Sequence, residues 1–303
     1  MDYAARNNGK TYLEIAKEGG GIWSTVRHTR AATQDSLVAL MNGRMDRLLA
    51  NGITTVEIKS GYGLGVEEEL TLLRAIQAAS QQHEMDVIPT CLAAHIVPKD
   101  IEGGEEAYLK LILEKLVPIV KSENLCNRFD VFIEESAFSV SGATGYLQSL
   151  KNQGFSLTVH GDQFTPGGSQ VAIDCGALSV DHLEASGEKE IAALAKSEVI
   201  PVALPGASIG LGCDFTPARK LLDAGSSLAI ASDWNPGSAP QGNLLIQAAI
   251  LGTFEKLSAA EILAGMTFRA ARALGLQDRG KLTEGQLADF IAFPGNDYRE
   301  ILY

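Results

Sequence analysis

Cysteine pairs are missing from this chain. Its four cysteines, Cys91, Cys126, Cys175 and Cys213, lie scattered along 303 residues with no CxxC among them. Such spacing supports no disulfide framework, and it fits a reducing compartment. Positive charge is short as well: 25 Lys and Arg against 37 Asp and Glu leave a formal net charge of −12. Nucleic acid and anionic membrane both select for a basic face, so neither is an expected partner. No apolar run approaches the roughly 20 residues of a membrane-spanning helix. The opening MDYAARNNGK has no apolar core of a signal peptide and reads like the middle of a polar helix or loop. A cytoplasmic protein acting on a small molecule is the expectation. Sequence repeats, low-complexity tracts and linkers are also absent, and so is a GxGxxG loop after the first strand-like run, which counts against a dinucleotide fold.

What is present is a rhythm. Seven short β-branched apolar runs alternate with helix-period stretches: 53–59, 87–95, 129–135, 155–162, 177–182, 200–205 and 227–233. Near-continuous apolar runs of this length suit strands buried on both faces of a parallel sheet. Between them, Leu37, Leu40, Met41, Leu48 and Leu49 fall on one helical stripe that stops at Asn51-Gly52. Leu70, Leu73 and Ile76 form another after the acidic turn Glu67–Glu69, and Leu111, Leu113, Leu116 and Ile119 a third. Alternating strand and helix predicts right-handed parallel crossovers, and seven units nearly close a (β/α)8 barrel. One further run, 287–293 (LADFIAF), has no helix after it and is expected as a strand of a second, smaller β unit.

Active sites of such barrels lie at the carboxyl ends of the strands. Those ends carry Lys59 with Tyr62, then His95, Glu134 with Glu135, His160 with Asp162, His182, and finally Asp233. Three of the five histidines thus end a strand. Imidazole and carboxylate together suit a borderline divalent cation, Zn2+ or Fe2+/Fe3+, with one position left for water. Asp233 could hold both ion and proton, and His182 could polarise a carbonyl or stabilise an oxyanion. Glu134 and Glu135 stand where a binuclear site would want a bridging group, but no lysine lies there, so one ion is preferred to two. In the loop 233–240, Gly237 and Ser238 can offer N–H groups, and Asn235 and Ser238 side-chain groups, to a carboxylate or amide. In the loop 59–64 two glycines permit close approach, and Tyr62 can stack on a flat ring. Three rival readings are a metal hydrolase of another cyclic amide or heterocycle, a metal-free lyase with Lys59 as Schiff-base amine, and a non-catalytic scaffold or binding barrel.

The segments KSGYGL (59–64), AAHIVP (93–98), VHGDQ (159–163), VDHLE (180–184), LPG (204–206) and SDWNPGS (232–238), with GKLTEGQLADFI (280–291), strongly resemble the imidazolonepropionase family of amidohydrolases. The resemblance runs from about residue 11 to 293 and implies an amidohydrolase-type TIM barrel over 1–280, with 281–303 entering a partial β-sandwich. It implies hydrolysis of the ring amide of 4-imidazolone-5-propanoate to N-formimidoyl-L-glutamate, and a homodimer. Residue by residue, His160 and Asp233 resemble metal ligands and His182 the histidine beside the reacting centre. Tyr62, His95 and Gln163 resemble contacts to the imidazolone ring or its propionate, Asn235, Gly237 and Ser238 contacts at the opposite rim, and Tyr12 a pocket-lining group. Some relatives carry Glu where Gln163 stands. Gln cannot take a proton, which moves general-base duty to the Asp233–His182 side. The family's first strand ends in a His-x-His pair, and no such pair occurs in these 303 residues. The barrel is therefore expected without its first strand, and the isolated chain is expected to bind metal poorly through two protein ligands.

Overall fold

A computed structural model describes residues 2–9 and 21–302; Tyr12 lies outside the described residues. Seven strands form one parallel sheet in sequential order: β1 (Thr55–Lys59), β2 (Asp86–Ala94), β3 (Arg128–Val131), β4 (Ser156–Gly161), β5 (Ser179–His182), β6 (Ile200–Ala203) and β7 (Ala229–Ile230). Each falls within or against one of the seven apolar runs, and helices separate them. Sequential order with parallel pairing is the winding of a TIM barrel. Among the described residues β1 and β7 are not paired with each other, so the sheet is a partial barrel.

The reason these runs make strands is visible on their two faces. The outer face packs Cys91, Phe129, Leu157, Val159 and Val180 against the helices. Helix Val66–Gln82 buries Leu70, Leu73 and Ile76 together with Leu72, Ala75 and Ala79, as the stripe predicts. Helix Gln34–Ala50 keeps most of its expected stripe: Leu48 is buried and Leu37, Met41 and Leu49 pack half-buried beside it, with Val38 and Met45 added, while Leu40 faces solvent. Its partner is the helix Val66–Gln82, whose Ala75 and Ala79 lie in the same cluster as Val38 and Met45.

The inner face is polar and layered. Odd strands supply Glu57, Arg128 and Ser179 to one level, where Arg128 Nε donates to Glu57 Oε1 at 3.0 Å and its Nη2 to Ser179 Oγ at 2.7 Å. The next level, two residues on, holds Lys59, Asp130 and Asp181 from the same three strands. Side chains from alternate strands sharing a level is the usual way a barrel interior fills.

The run 287–293 does not form the expected strand. Among the described residues it is irregular and largely exposed, and no strand lies beside it to take its backbone hydrogen bonds. A strand without a partner leaves its ladder unmade, so β-branched composition alone does not produce one. Instead Ile291 rests against Gly52, and Arg279 reaches Thr55 Oγ1 at 3.0 Å, tying the segment to the amino end of β1.

Gly161 ends β4 directly against the first residue of helix Gly168–Cys175. A Cβ there would lie 2.8 Å from Gly168 Cα and 2.9 Å from its carbonyl carbon, both backbone atoms. Gly161→Ala is therefore expected to destabilise the chain by about 1–3 kcal/mol, read from urea unfolding; unchanged stability would mean the strand–helix seam is looser than described.

Candidate active site

The carboxyl ends of the strands converge on an arc of rings. Tyr62 and His95 meet edge-on with centroids 5.2 Å apart, and His95 meets Phe132 at 6.1 Å. Phe132 in turn meets His160 at 6.1 Å, and His160 faces His182 at 5.2 Å. Four of the expected residues, Tyr62, His95, His160 and His182, are thus one contiguous wall. Phe132, which bridges its halves, was not foreseen; it reads as one more apolar residue of the β3 run. Asp233 stands within the electrostatic reach of both His160 and His182. Gln163 sits half-buried on the loop after β4, and Glu135 is exposed.

The backbone is strained at these ends. Asp162, His182, Leu183 and Asp233 all adopt left-handed conformations, at φ 54°, 84°, 73° and 49°. Each such non-glycine residue costs roughly 1–3 kcal/mol and persists only where its surroundings hold it. Here Thr216 Oγ1 donates to the His182 carbonyl at 2.5 Å, and Leu183 N to the Gly161 carbonyl at 3.2 Å.

Carbonyl-bearing side chains fasten each loop. Glu69 takes N–H groups from Gly61 (3.0 Å), Gly63 (2.7 Å) and Leu64 (2.9 Å). Burial nevertheless raises its pKa above the usual carboxylate range, against those hydrogen bonds. Gly61 needs φ +109°, and a Cβ would strike the Leu92 carbonyl oxygen at 2.8 Å, so glycine is required there. Glu134 is buried and accepts from Phe164 N at 3.0 Å, Thr165 N at 3.2 Å and the Thr165 hydroxyl. The bridging place considered for it is filled by the loop. Asp162 holds Gly167 N, Ser169 N and Ser186 Oγ. Asn235 Oδ1 accepts from Gly237 N at 2.8 Å and Ser238 N at 2.9 Å, while its Nδ2 donates to Asp233 Oδ2 at 3.0 Å and Ser238 Oγ at 2.8 Å. Those two N–H groups are spent inside the 233–240 loop, and Asn235 with Ser238 acts on the Asp233 carboxylate, which Ser238 Oγ also contacts at 3.2 Å.

Beneath the wall lies a charge cluster the strand-end view overlooked. Among the described residues Asp130, His160 and Asp181 bring possible ligand atoms within 4.8 Å of one another. A cation already serves this cluster: Lys59 Nζ sits 2.7 Å from Asp130 Oδ2, 3.1 Å from Asp181 Oδ2 and 3.2 Å from Glu57 Oε2. Burial alone would strip the lysine of its proton, but Asp130, Asp181 and Glu57 overcome that and hold its pKa above the ordinary lysine range. An ammonium so held is no Schiff-base nucleophile, which removes the lyase reading. The ammonium thus takes up the two carboxylates of the trio.

The two facing histidines each have a carboxylate behind Nδ1. His160 Nδ1 lies 2.8 Å from Asp130 Oδ2, yet the N–H direction misses that oxygen and the nitrogen has no aligned partner. His182 Nδ1 lies 3.5 Å from Glu184 Oε2, whose other oxygen accepts from Ser208 Oγ at 3.1 Å. Burial works against charge on His182, but Glu184, Asp233 and Asp181 outweigh it and raise its pKa. Burial also raises the pKa of Asp233, opposed by both histidines and by Ser238. His95 goes the other way: burial pulls it down to about 4, although its Nδ1 donates to the Gly61 carbonyl at 2.9 Å. Glu184 and Asp130 were missed at first; the signal was an acidic residue inside or just after an apolar run, which period-2 reading places on the inner face.

No helix among the described residues is long and apolar enough to cross a membrane. A model of the amidohydrolase family matches residues 170–301. The imidazolonepropionase of Deinococcus deserti is 43% identical over 303 residues, all of this chain and 74% of that protein. Those of Deinococcus radiodurans and Myxococcus xanthus are 44% and 40% identical, again over the whole chain and over 74% and 72% of their own lengths. Among solved structures, an adenosine deaminase from Xanthomonas campestris with bound zinc superposes with a TM-score of 0.70 at 18% identity, covering 97% of this chain and 70% of the other. A zinc complex of atrazine chlorohydrolase from Arthrobacter aurescens gives 0.69 at 17%, covering 84% of this chain and 63% of its own. Likeness at this identity shows the barrel fold alone.

Two predictions follow from the histidines. His95 stays neutral in the folded chain down to about pH 4, whereas an unfolded histidine protonates near 6.5. The unfolded state then binds more protons between those values, so stability falls as pH drops from 6.5 toward 4. At about 1.4 kcal/mol per unit the ceiling is about 3 kcal/mol, reduced by the partial exposure of the ring. His95→Asn should flatten that slope in urea unfolding at pH 4.5 and 7. Glu184→Gln should shift the His182 titration downward, measured by ring NMR, and an unmoved titration would remove Glu184 as its partner.

Proposed function

The chain belongs to the imidazolonepropionase family of amidohydrolases, and on that premise we propose that it hydrolyses the ring amide of 4-imidazolone-5-propanoate to N-formimidoyl-L-glutamate, a step of histidine breakdown. The observation that carries the reading is the joining of His160, His182 and Asp233 in one electrostatic unit at the strand ends, beside a flat aromatic wall. A planar five-membered ring is the kind of substrate such a wall takes, by stacking or edge contact with Tyr62 and His95. Gln163, on the next loop, supplies a carboxamide that can pair with ring N–H or carbonyl groups. We read residues 1–280 as the barrel and 281–303, which forms no strand among the described residues, as the segment leading into a smaller unit.

The donor set fits one divalent cation, Zn2+ or an iron ion. His160 is buried with Nδ1 against Asp130, which leaves Nε2 as the nitrogen for an ion, and Asp233 is a carboxylate held by Asn235 and Ser238. His160 and Asp233 would hold such an ion. When bound, it supplies a water activated at neutral pH and polarisation of the substrate carbonyl. The remaining work falls to side chains. Asp233, its pKa raised by burial, is suited to take a proton from the attacking water. His182, its pKa raised by Glu184, can present a proton to the oxyanion that develops at the carbonyl. His95 is kept neutral by burial and acts as a hydrogen-bonding wall rather than as a charge. Fixed loops at Glu69 and Asn235 keep these groups in place and reduce the ordering left to be done on binding.

The test is turnover of the imidazolone substrate by the purified chain with zinc or iron in excess, since His160 and Asp233 alone would hold the ion weakly. Asp233→Asn and His182→Asn are each expected to lower kcat/KM by roughly 100- to 10,000-fold with the fold retained. Dialysis against a chelator should abolish activity, and readdition of zinc or iron should identify the ion by the rate recovered. Undiminished turnover by Asp233→Asn would sink the assignment.

A further inference from the structure

The reaction leaves one buried acid without a task. Asp130 is wholly buried on the inner face of β3, and neither substrate contact nor proton transfer falls to it. Its Oδ2 accepts from Lys59 Nζ at 2.7 Å and stands 2.8 Å from His160 Nδ1; its Oδ1 has no hydrogen-bond partner among the described residues. An unpaired buried carboxylate is costly, and Lys59 provides the pairing. The ammonium is itself fixed by Glu57 and Asp181 on other sides, so Oδ2 has one place to be. With an ammonium 2.7 Å from Oδ2, the carboxylate is the form of Asp130 that the geometry matches.

A carboxylate only accepts. An imidazole with Nδ1 against it therefore carries its proton there and keeps the lone pair on Nε2. A histidine that ligates a cation needs that lone pair on the outward nitrogen and a ring that does not swivel. We propose that Asp130, anchored by Lys59, is a positioning residue that fixes the tautomer and ring plane of His160, so that Nε2 is the nitrogen offered to the divalent cation. The assignment rests on reading His160 as a ligand. A turn of the ring about its Cβ–Cγ bond brings Nδ1–H onto Oδ2 without backbone movement, since the two atoms are already at hydrogen-bonding distance. The in-register pairing of His160 with Asp181 places a second carboxylate oxygen 3.9 Å from Nδ1.

Two measurements on the full chain decide it. The first is nitrogen-15 NMR of the histidine rings in the metal-free protein, with His160 assigned by comparison with His160→Gln, at a pH where the ring is neutral. The expected spectrum has the proton on Nδ1; a proton on Nε2 would overturn the proposal, and no variant of Asp130 has to fold for that result. The second is zinc affinity by competition with a chromophoric chelator. Asp130→Asn should bind zinc about 10- to 100-fold more weakly and lose the single tautomer. Glu57→Gln, which touches Lys59 but not His160, should do neither. Equal zinc affinity in Asp130→Asn and the parent would also overturn it. A parent chain that binds no zinc would instead remove the metal reading, and the tautomer measurement, made without metal, would still decide the role of Asp130.

Discussion

One ammonium group organises the interior of this barrel. Lys59 reaches from β1 to carboxylates on β3 and β5 and to Glu57 on its own strand. Three acids this close would repel one another and resist burial; with the cation among them, their charges are compensated where water is largely excluded. The level below repeats the arrangement with Arg128 between Glu57 and Ser179. These cross-barrel contacts join strands that are not neighbours in the sheet. They set the distance between β1, β3 and β5, and with it the place of every group at the strand ends above.

A second constraint operates at the rim. Loops that carry binding groups have few apolar contacts, and here each is fastened by a side-chain oxygen that accepts consecutive backbone N–H groups. Glu69 does this for 61–64, Glu134 for 164–165, Asp162 for 167–169 and Asn235 for 237–238. Such bonds resemble those of a helix cap, and charge-assisted ones are among the stronger hydrogen bonds available. They also compensate the left-handed turns at Asp162 and Asp233, which would otherwise relax. Strain at the strand ends and the devices that hold it are thus parts of one construction.

The sheet and its winding were legible in the residues. Seven apolar runs became seven strands, because runs buried on both faces and too short for a buried helix are strands of a parallel sheet. His160, His182 and His95 were found as strand-end polar groups, and they do share one wall. Less was legible where a partner decides. Leu40 lies on the predicted stripe of its helix but faces solvent, since the neighbouring helix approaches from the side of Val38 and Met45. The run 287–293 has strand composition and no strand, because a ladder needs a second chain segment that composition does not reveal. Gly237 and Ser238 look like free donors in the SDWNPGS loop, and the fold turns both onto Asn235.

The amino-acid sequence by itself determined the α/β alternation, the order of strands, the family and the ring of polar groups at one end, because each depends on residue type and on periods of two or about four along the chain. Only the tertiary structure decided that Lys59 is a structural cation and not a nucleophile, that Glu134 holds a loop and not an ion, and that Asp130 and Glu184 stand behind His160 and His182. These depend on distances between residues tens of positions apart. A charge in a buried site takes its role from what lies within a few ångströms of it, and that is fixed by how the strands come together.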